Sequence, residues 1–493
     1  MHPAITRSLV AGAAALLATS PAHAQHAAHG HGQRASADTA ITQHPAAGPG
    51  SAALLPPAGH APAHPASLTE GAEAVPGHEM PMLRLGGGWT VMGMGQVFPI
   101  ATRGEPFDGS SPLNRREVYF TQPAAMINLE SPGSALVLRT TLNFEAWTQE
   151  EGEYTFGSWG EGFIDKRHPH TLLHEAMASV NVWNAPGGAF SLSAGKGFAP
   201  YGSDDPMSRP AVKYPTNHHL SQVVERWTVN AAYLHRSGLS LEAGLFGGGE
   251  PDGPYDFGNI RGFGDSWSAR AAMRFGGRNG PAADWEVSAS FARVAGAHGG
   301  QAEHTRLVNA AVRHERGYRF GGVYALLEAS RSEPEGAEKG YAALLGETRL
   351  KLGPGRRHQP YWRTELATRP EYHRAGALGT DDWYRYDHAH GHTDGATRWL
   401  VNTAGYAFQA TGFPFSAAPF VELQHNRVWR ERGTADPRAL FGKSTFWSLS
   451  TGFRIHVGGG PMRMGAYGVL DPMTAAMRAG RHGAHGAAGD AQH

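Results

Sequence analysis

The sequence predicts an all-β fold: a transmembrane antiparallel β-barrel of about 16 strands, with 14–18 as the range, flanked by disordered N- and C-terminal tails. Three observations predict it. Apolar and polar residues alternate with a period of two along most of the chain. The N-terminus carries an export signal. No later apolar run approaches the ~20 residues of a membrane-spanning helix.

The alternation is clearest at residues 445–457, Thr-Phe-Trp-Ser-Leu-Ser-Thr-Gly-Phe-Arg-Ile-His-Val. Trp447, Leu449, Thr451, Phe453, Ile455 and Val457 fall on one face, and Ser448, Ser450, Gly452, Arg454 and His456 on the other. Successive strand side chains point to opposite faces, so one face is apolar and one polar. A closed barrel is the way strands cross a bilayer without leaving backbone groups unsatisfied.

Composition is consistent with this class. The chain has 493 residues and no cysteine, which excludes disulfides and thiolate metal sites. Lys plus Arg equals Asp plus Glu, 43 each, so no net charge draws the chain to nucleic acid. Only 17% of residues are charged while glycine reaches 66, and together with a negative mean hydropathy this fits many strands and turns with alternating faces.

In order along the chain, residues 1–24 read as a secretory signal peptide. Arg7 supplies the positive charge, 9–17 the apolar run, and Ala22-His23-Ala24 the cleavage site. Residues 25–82 form a tail rich in His, Pro, Ala and Gly, too poor in apolar anchors to offset the entropy of ordering. The barrel is expected over 83–470, and a second disordered, His-containing tail over 471–493.

Within the barrel region, 135–147 places Leu136, Leu138, Leu142 and Phe144 opposite Arg139, Asn143 and Glu145. Trp227, Trp267, Trp285 and Trp362 each begin a similar alternation, and Glu347, Arg349 and Lys351 oppose Thr348, Leu350 and Leu352. Arg and Glu in mid-strand suit a wet lumen. Aromatic residues at the ends of apolar faces (Trp147, Trp227, Trp267, Phe275, Trp285, Trp447) suit the girdles at lipid boundaries. Short turns are expected at 185–188, 237–238 and 316–317, and long loops at 149–167, 203–222, 249–265 and 374–396. Short turns on one rim and long loops on the other complete the pattern.

With this signal peptide and these strands, the chain resembles bacterial outer-membrane porin-like proteins. The likeness is architectural and covers roughly four-fifths of the chain; no motif assigns a named subfamily. It implies the bacterial outer membrane as location. Outer-membrane lipid, small solutes or ions and the barrel-insertion machinery are the implied partners, self-assembly into a homo-oligomer is a further expectation, and nucleic acid is not a partner. These barrels often end on a terminal aromatic residue, whereas here the last strand candidate, 462–470, is followed by a tail ending in His493.

Arg139, Glu145, Arg270, Arg274, Glu347, Arg349, Arg363, Glu365 and Arg454, with Glu422 beside them, are the expected pore-lining charges. Rings of charge at a constriction set ion selectivity. The other distinctive feature is histidine, 28 in all. In 160–175, His168, His170 and His174 with Glu175 can converge either on a helical face, as His170 and His174, or along a strand face. His388, His390 and His392 alternate between Asp387 and Asp394, and Asn217-His218-His219 lies in another long loop. Clustered imidazoles suit Cu or Zn, although no cofactor is required. The reading is an outer-membrane channel for passive passage of small hydrophilic solutes or ions, linked to transition-metal handling, and not an enzyme. Two alternatives stand beside it: a barrel hydrolase using His168, His170 and His174 with Asp165 or Glu175, and a plugged binding barrel.

Overall fold

The computed structural model describes residues 82–458 apart from 149–170, 204–208, 277–283, 296–303, 336–339, 379–383, 386–392, 411–414 and several breaks of one to three residues. The expected signal peptide, both tails, the strand candidate 462–470, and His168, His170, His388, His390 and His392 lie outside the described residues.

Sixteen strands close into a ring. They are β1 (Thr90–Gly104), β2 (Arg116–Glu130), β3 (Leu136–Asn143), β4 (Leu173–Ala185), β5 (Gly188–Gly197), β6 (Arg226–His235), β7 (Leu239–Phe246) and β8 (Ser266–Phe275). They continue as β9 (Trp285–Ala295), β10 (His304–Tyr318), β11 (Gly321–Pro334), β12 (Tyr341–Leu352), β13 (His358–Tyr372), β14 (Thr393–Phe408), β15 (Ser416–Gly433) and β16 (Thr445–Val457). Each pairs antiparallel with its sequence neighbours, and β16 closes on β1, with Val457 opposite Gly95 and Ser448 opposite Gly104. A further short strand, Met82–Arg84, pairs with 90–92 of β1 just beyond the end of β16. Full closure leaves no open strand edge in the hydrocarbon.

Connections alternate in length. Residues 144–172, 198–225, 247–265 and 373–392 are long and share one rim with 105–115 and 434–444. Tight turns such as 186–187, 236–238 and 319–320 lie at the other rim. The turn expected at 316–317 falls three residues later, because β10 continues through Tyr318. The strand expected to run to Trp147 stops at Asn143. Glu145–Thr148 is instead one helical turn, which sends the Glu145 carboxylate inward.

The faces separate as the period of two requires. On β8, Ser268, Arg270, Ala272 and Arg274 are buried while Trp267 and Met273 face outward. On β16, Ser448, Ser450, Arg454 and His456 point in and Trp447, Leu449, Phe453 and Val457 point out. Exposed Trp267, Trp429 and Trp447 mark the long-loop rim, and Trp285, Trp362 and Tyr406 the short-turn rim. These are the two aromatic girdles of a membrane barrel.

Candidate channel constriction

The lumen is crossed by residues 198–225, the connection between β5 and β6. An exposed surface loop would be polar. This one carries Phe198, Ala199, Tyr201, Ala211, Val212, Tyr214 and Val223, all buried. Its base is closed by a hydrogen bond from Ala199 N to Val223 O (3.0 Å), and Asn230 Nδ2 donates to Phe198 O (2.6 Å). Ala199, Tyr201 and Val223 pack with Phe246, Ala292, Val294 and Leu307 on the near wall. Gly202 takes φ +84°, and a Cβ there would lie 1.6 Å from Ser221 O, so only glycine fits this approach. Its N–H donates to Ser290 Oγ (2.8 Å), and its carbonyl accepts from Arg270 Nε (2.9 Å).

The tip, 209–216, docks on the far wall. Ala211 and Val212 join Phe98, Ile100, Tyr119, Tyr361, Ala407 and Phe420 in an apolar cluster. Around that cluster the tip backbone is satisfied by strand side chains. Val212 N donates to Glu422 Oε1 (2.6 Å), and Gln122 Nε2 donates to Val212 O (3.2 Å). Arg363 Nη1 donates to Lys213 O (2.8 Å), and Arg454 Nη1 to Pro210 O (3.2 Å). Thr216 donates both its N–H and its hydroxyl (2.7 Å) to Glu365. Tyr214 OH donates to Glu145 Oε1 (3.2 Å). A buried loop must pair its backbone polar groups, and these strand charges pair them.

Arg209 makes the strongest link. It is 0% exposed, with Nη2 2.7 Å from Glu328 Oε2 and Nη1 3.8 Å from Glu347 Oε1. Burial opposes its charge, but the pull of Glu328 and Glu347 outweighs it, and its pKa is raised. Arg363 Nε shares Glu347 at 2.9 Å. Toward β8, Arg270 bonds Glu242 (2.8 Å) and Glu286 (3.4 Å), and Arg274 bonds Glu286 (2.7 Å).

All nine residues read from the sequence as pore-lining face the barrel interior. The structure joins Glu145, Arg270, Glu347, Arg363, Glu365 and Arg454 to the crossing segment or its partners. Arg139 instead holds Asn128 (3.0 Å) and approaches Glu175 (4.0 Å). Arg274 pairs on β8–β9, and Arg349 stands with its guanidinium over the Tyr324 ring (5.7 Å). All nine are buried.

His174 lies on a strand, so the helical arrangement of the histidines does not form there. Thr141 of β3 opposes Glu175 and Leu142 opposes Leu173, which leaves His174 as the extra residue of a β-bulge. The bulge turns both His174 and Glu175 inward. His174 Nδ1 is bonded to Glu225 at the base of the crossing segment, and Thr141 Oγ1 donates to Glu175 (3.1 Å). Among the described residues no group of three His, Asp or Glu is placed to hold a metal ion. Backbone strain falls at the same contacts: Gln122 (φ 54°) and Glu225 (φ 56°) are two of the five non-glycine residues with positive φ among the described residues.

A second element enters from the long-loop rim. The helix Pro437–Phe441 is capped by Asp436 and buries Phe441 against Trp399, Val401, Val428 and Phe446.

No protein-family profile matches the sequence, and no curated protein matches it. Among solved structures the chain is similar to an anion-selective porin from Comamonas acidovorans (10% identity, 75% of this chain and 99% of that one, TM-score 0.42). It is also similar to outer-membrane expressed OmpT of Vibrio cholerae (11%, 76% and 100%, TM-score 0.45). A third is the outer membrane channel DcaP of Acinetobacter baumannii (9%, 76% and 99%, TM-score 0.43). By its own geometry, with sixteen closed antiparallel strands, an apolar outer band between aromatic rims and a polar interior, the protein has the fold of a porin-like outer-membrane β-barrel.

Proposed function

We propose that the barrel is a narrow outer-membrane channel for passive passage of small hydrophilic solutes or ions, with 198–225 as its constriction. The observation that carries this is the crossing segment itself. It spans a polar lumen and is held at its tip by charged strand residues on the far wall. No catalytic role is part of this reading: His174, the described member of the histidine set, is 1% exposed and faces Glu225. Purified protein in a planar bilayer should give discrete, small conductance steps. Silence from a folded, heat-modifiable sample would remove the channel reading.

Burial of the interior arginines favours one second reading, a barrel plugged at rest whose segment must move before anything passes. It predicts rare openings to one large level in place of steady small steps.

A link to transition-metal handling is proposed from the sequence positions of His168 and His170, between β3 and β4, and of His388, His390 and His392, between β13 and β14; all five lie outside the described residues. Micromolar Zn²⁺ or Cu²⁺ should then block the current, and alanine at His388, His390 and His392 should weaken the block. Equal block in that variant would remove those three residues from the proposal.

A further inference from the structure

We propose that the outer face of β15, β16, β1 and β2 binds a phosphate-bearing lipid of the leaflet at the long-loop rim. Arg103, Arg116 and Arg427 hold its phosphates, and a groove along β1 takes an acyl chain. This rests on the fold's seating in an outer membrane and does not depend on whether the barrel conducts.

Ladder register sets the depth of these groups. One row of opposed residues starts at Gly104, the long-loop end of β1. It runs through Ser448, Gln424, Thr403 and Arg363 and ends at Arg274, the short-turn end of β8. Each step from β1 toward β8 therefore descends, by about 3 Å for strands about 4.8 Å apart and tilted by ~40°. Two residues along a strand climb about 5 Å at that tilt. Arg103 faces both Leu449 and Arg116, Arg427 faces Thr445, and Trp447 faces His425. The three arginines then lie within about 2 Å of the height of Trp447, in the aromatic girdle where head groups meet acyl chains.

The charges on this flank favour an anion. Arg103 and Arg116 stand directly opposite on the outer face, and like charges so placed repel. The same arrangement recurs on the other flank at Arg293 of β9 and Arg306 of β10, where Glu335 bridges the two at 3.1 Å from each. Among the described residues no carboxylate pairs with Arg103 or Arg116, and the Arg103 guanidinium donates to Asn114 Oδ1 (3.2 and 3.1 Å). Arg427 is exposed, and its guanidinium has no ion pair or hydrogen bond among the described residues. Glu431, on the same face of β15, is taken by Arg398. The apolar half of the site lies directly below. Ala101 and Pro99 of β1 form the floor of a groove walled by exposed Val118 and Phe120 of β2 and exposed Leu449 and Phe453 of β16. Cations above an apolar groove complement a phosphate head group with its acyl chain, and a free phosphate would leave the groove unfilled.

The test titrates three probes into the refolded full-length barrel in neutral detergent. They are a bis-phosphorylated acylated glucosamine disaccharide (lipid A), the same lipid with its phosphates removed, and sodium phosphate. The thermal midpoint should rise saturably with the phosphorylated lipid. The dephosphorylated lipid should act only at much higher concentration, and sodium phosphate should leave the midpoint flat over the same range. Arg116→Gln and Arg427→Gln should each weaken the response about tenfold, as loss of one charge-assisted contact. Both side chains are exposed, so these variants keep the fold. Arg306→Gln, on the other flank, should respond like wild type. A second copy of the chain is the competing occupant. The chain has no cysteine, so Thr445→Cys places a single thiol on this face. It should stay monomeric under oxidation in liposomes containing lipid A. No response to lipid A, equal response to both lipids, a response to phosphate alone, an unchanged titration in either arginine variant, or a disulfide-linked Thr445→Cys dimer would each overturn the proposal.

Discussion

Replacing Arg209 with glutamine should free the crossing segment. Arg209 is fully buried, 2.7 Å from Glu328 and 3.8 Å from Glu347, and it ties the start of the tip to β11 and β12. Glutamine removes the charge that Glu328 pairs with at 2.7 Å, while Glu347 keeps Arg363 at 2.9 Å. Removing one partner of a buried pair costs about 3–5 kcal/mol. Glutamine keeps some volume and a donor, so the lower figure is the fairer one. The barrel wall is built from other strands, so most of this loss falls on the docked state of the segment, because undocking lets Glu328 rehydrate. About 3 kcal/mol is roughly a hundredfold shift from docked toward undocked. Single-channel recording reads that shift as long dwells at a larger conductance level. Glu328→Gln should act in the same direction. The double variant Arg209→Gln/Glu328→Gln should recover part of the loss, since the uncompensated charge is gone, with a coupling of at least about 1 kcal/mol. Wild-type step size and dwell times in folded Arg209→Gln protein would refute the reasoning. Alkaline pH is no substitute for the mutation. The raised pKa of Arg209 means its contribution is lost only as pH rises through a value beyond the accessible range.

Three other perturbations follow from the same geometry. A Cβ at Gly405 would lie 2.1 Å from the Tyr361 ring, which faces it across β13 and β14; Gly405→Val should push Tyr361 off Glu422 and lower barrel stability by about 1–3 kcal/mol, read in urea unfolding. Trp399→Ala empties the centre of the Phe441–Phe446 cluster and should cost about 3–5 kcal/mol, with the helix Pro437–Phe441 becoming sensitive to protease while the barrel stays heat-modifiable. At the long-loop rim, hydrogen bonding from Arg293, against a small desolvation effect and with Arg306 assisting, lowers the pKa of Glu335. Its stabilisation is therefore present above the ordinary glutamate value and lost as pH falls through the lowered one. The small stability difference between wild type and Glu335→Gln should hold steady from about pH 8 to 5 and close below about pH 4.

The barrel was legible because its signal is local. Trp447, Leu449 and Phe453 against Ser448, Ser450 and Arg454 reveal both faces of β16 from thirteen adjacent residues. Where local geometry departs from plain alternation, the reading slipped. The helical turn at Glu145 ends β3 early, and the bulge at His174 puts two successive residues on one face, which a strict period of two forbids. The charges that point inward were also legible, since Arg and Glu in mid-strand cannot face lipid. Their partners were not. Arg209 and Glu328 are 119 residues apart, and Val212 and Glu422 are 210 apart, so only the closed ring brings them together. One signal for the crossing segment was present and unused. Residues 209–215, Arg-Pro-Ala-Val-Lys-Tyr-Pro, are too apolar and too stiff for a solvated loop, which points to a buried one.

The central claim is that 198–225 sets the width of the lumen. Because Ala199 N bonds Val223 O, residues 200–222 can be replaced by an Asn-Gly turn that joins neighbouring positions. The account predicts that this variant inserts, stays heat-modifiable, and conducts with steps several-fold larger than wild type. Equal step size in the two proteins would contradict it.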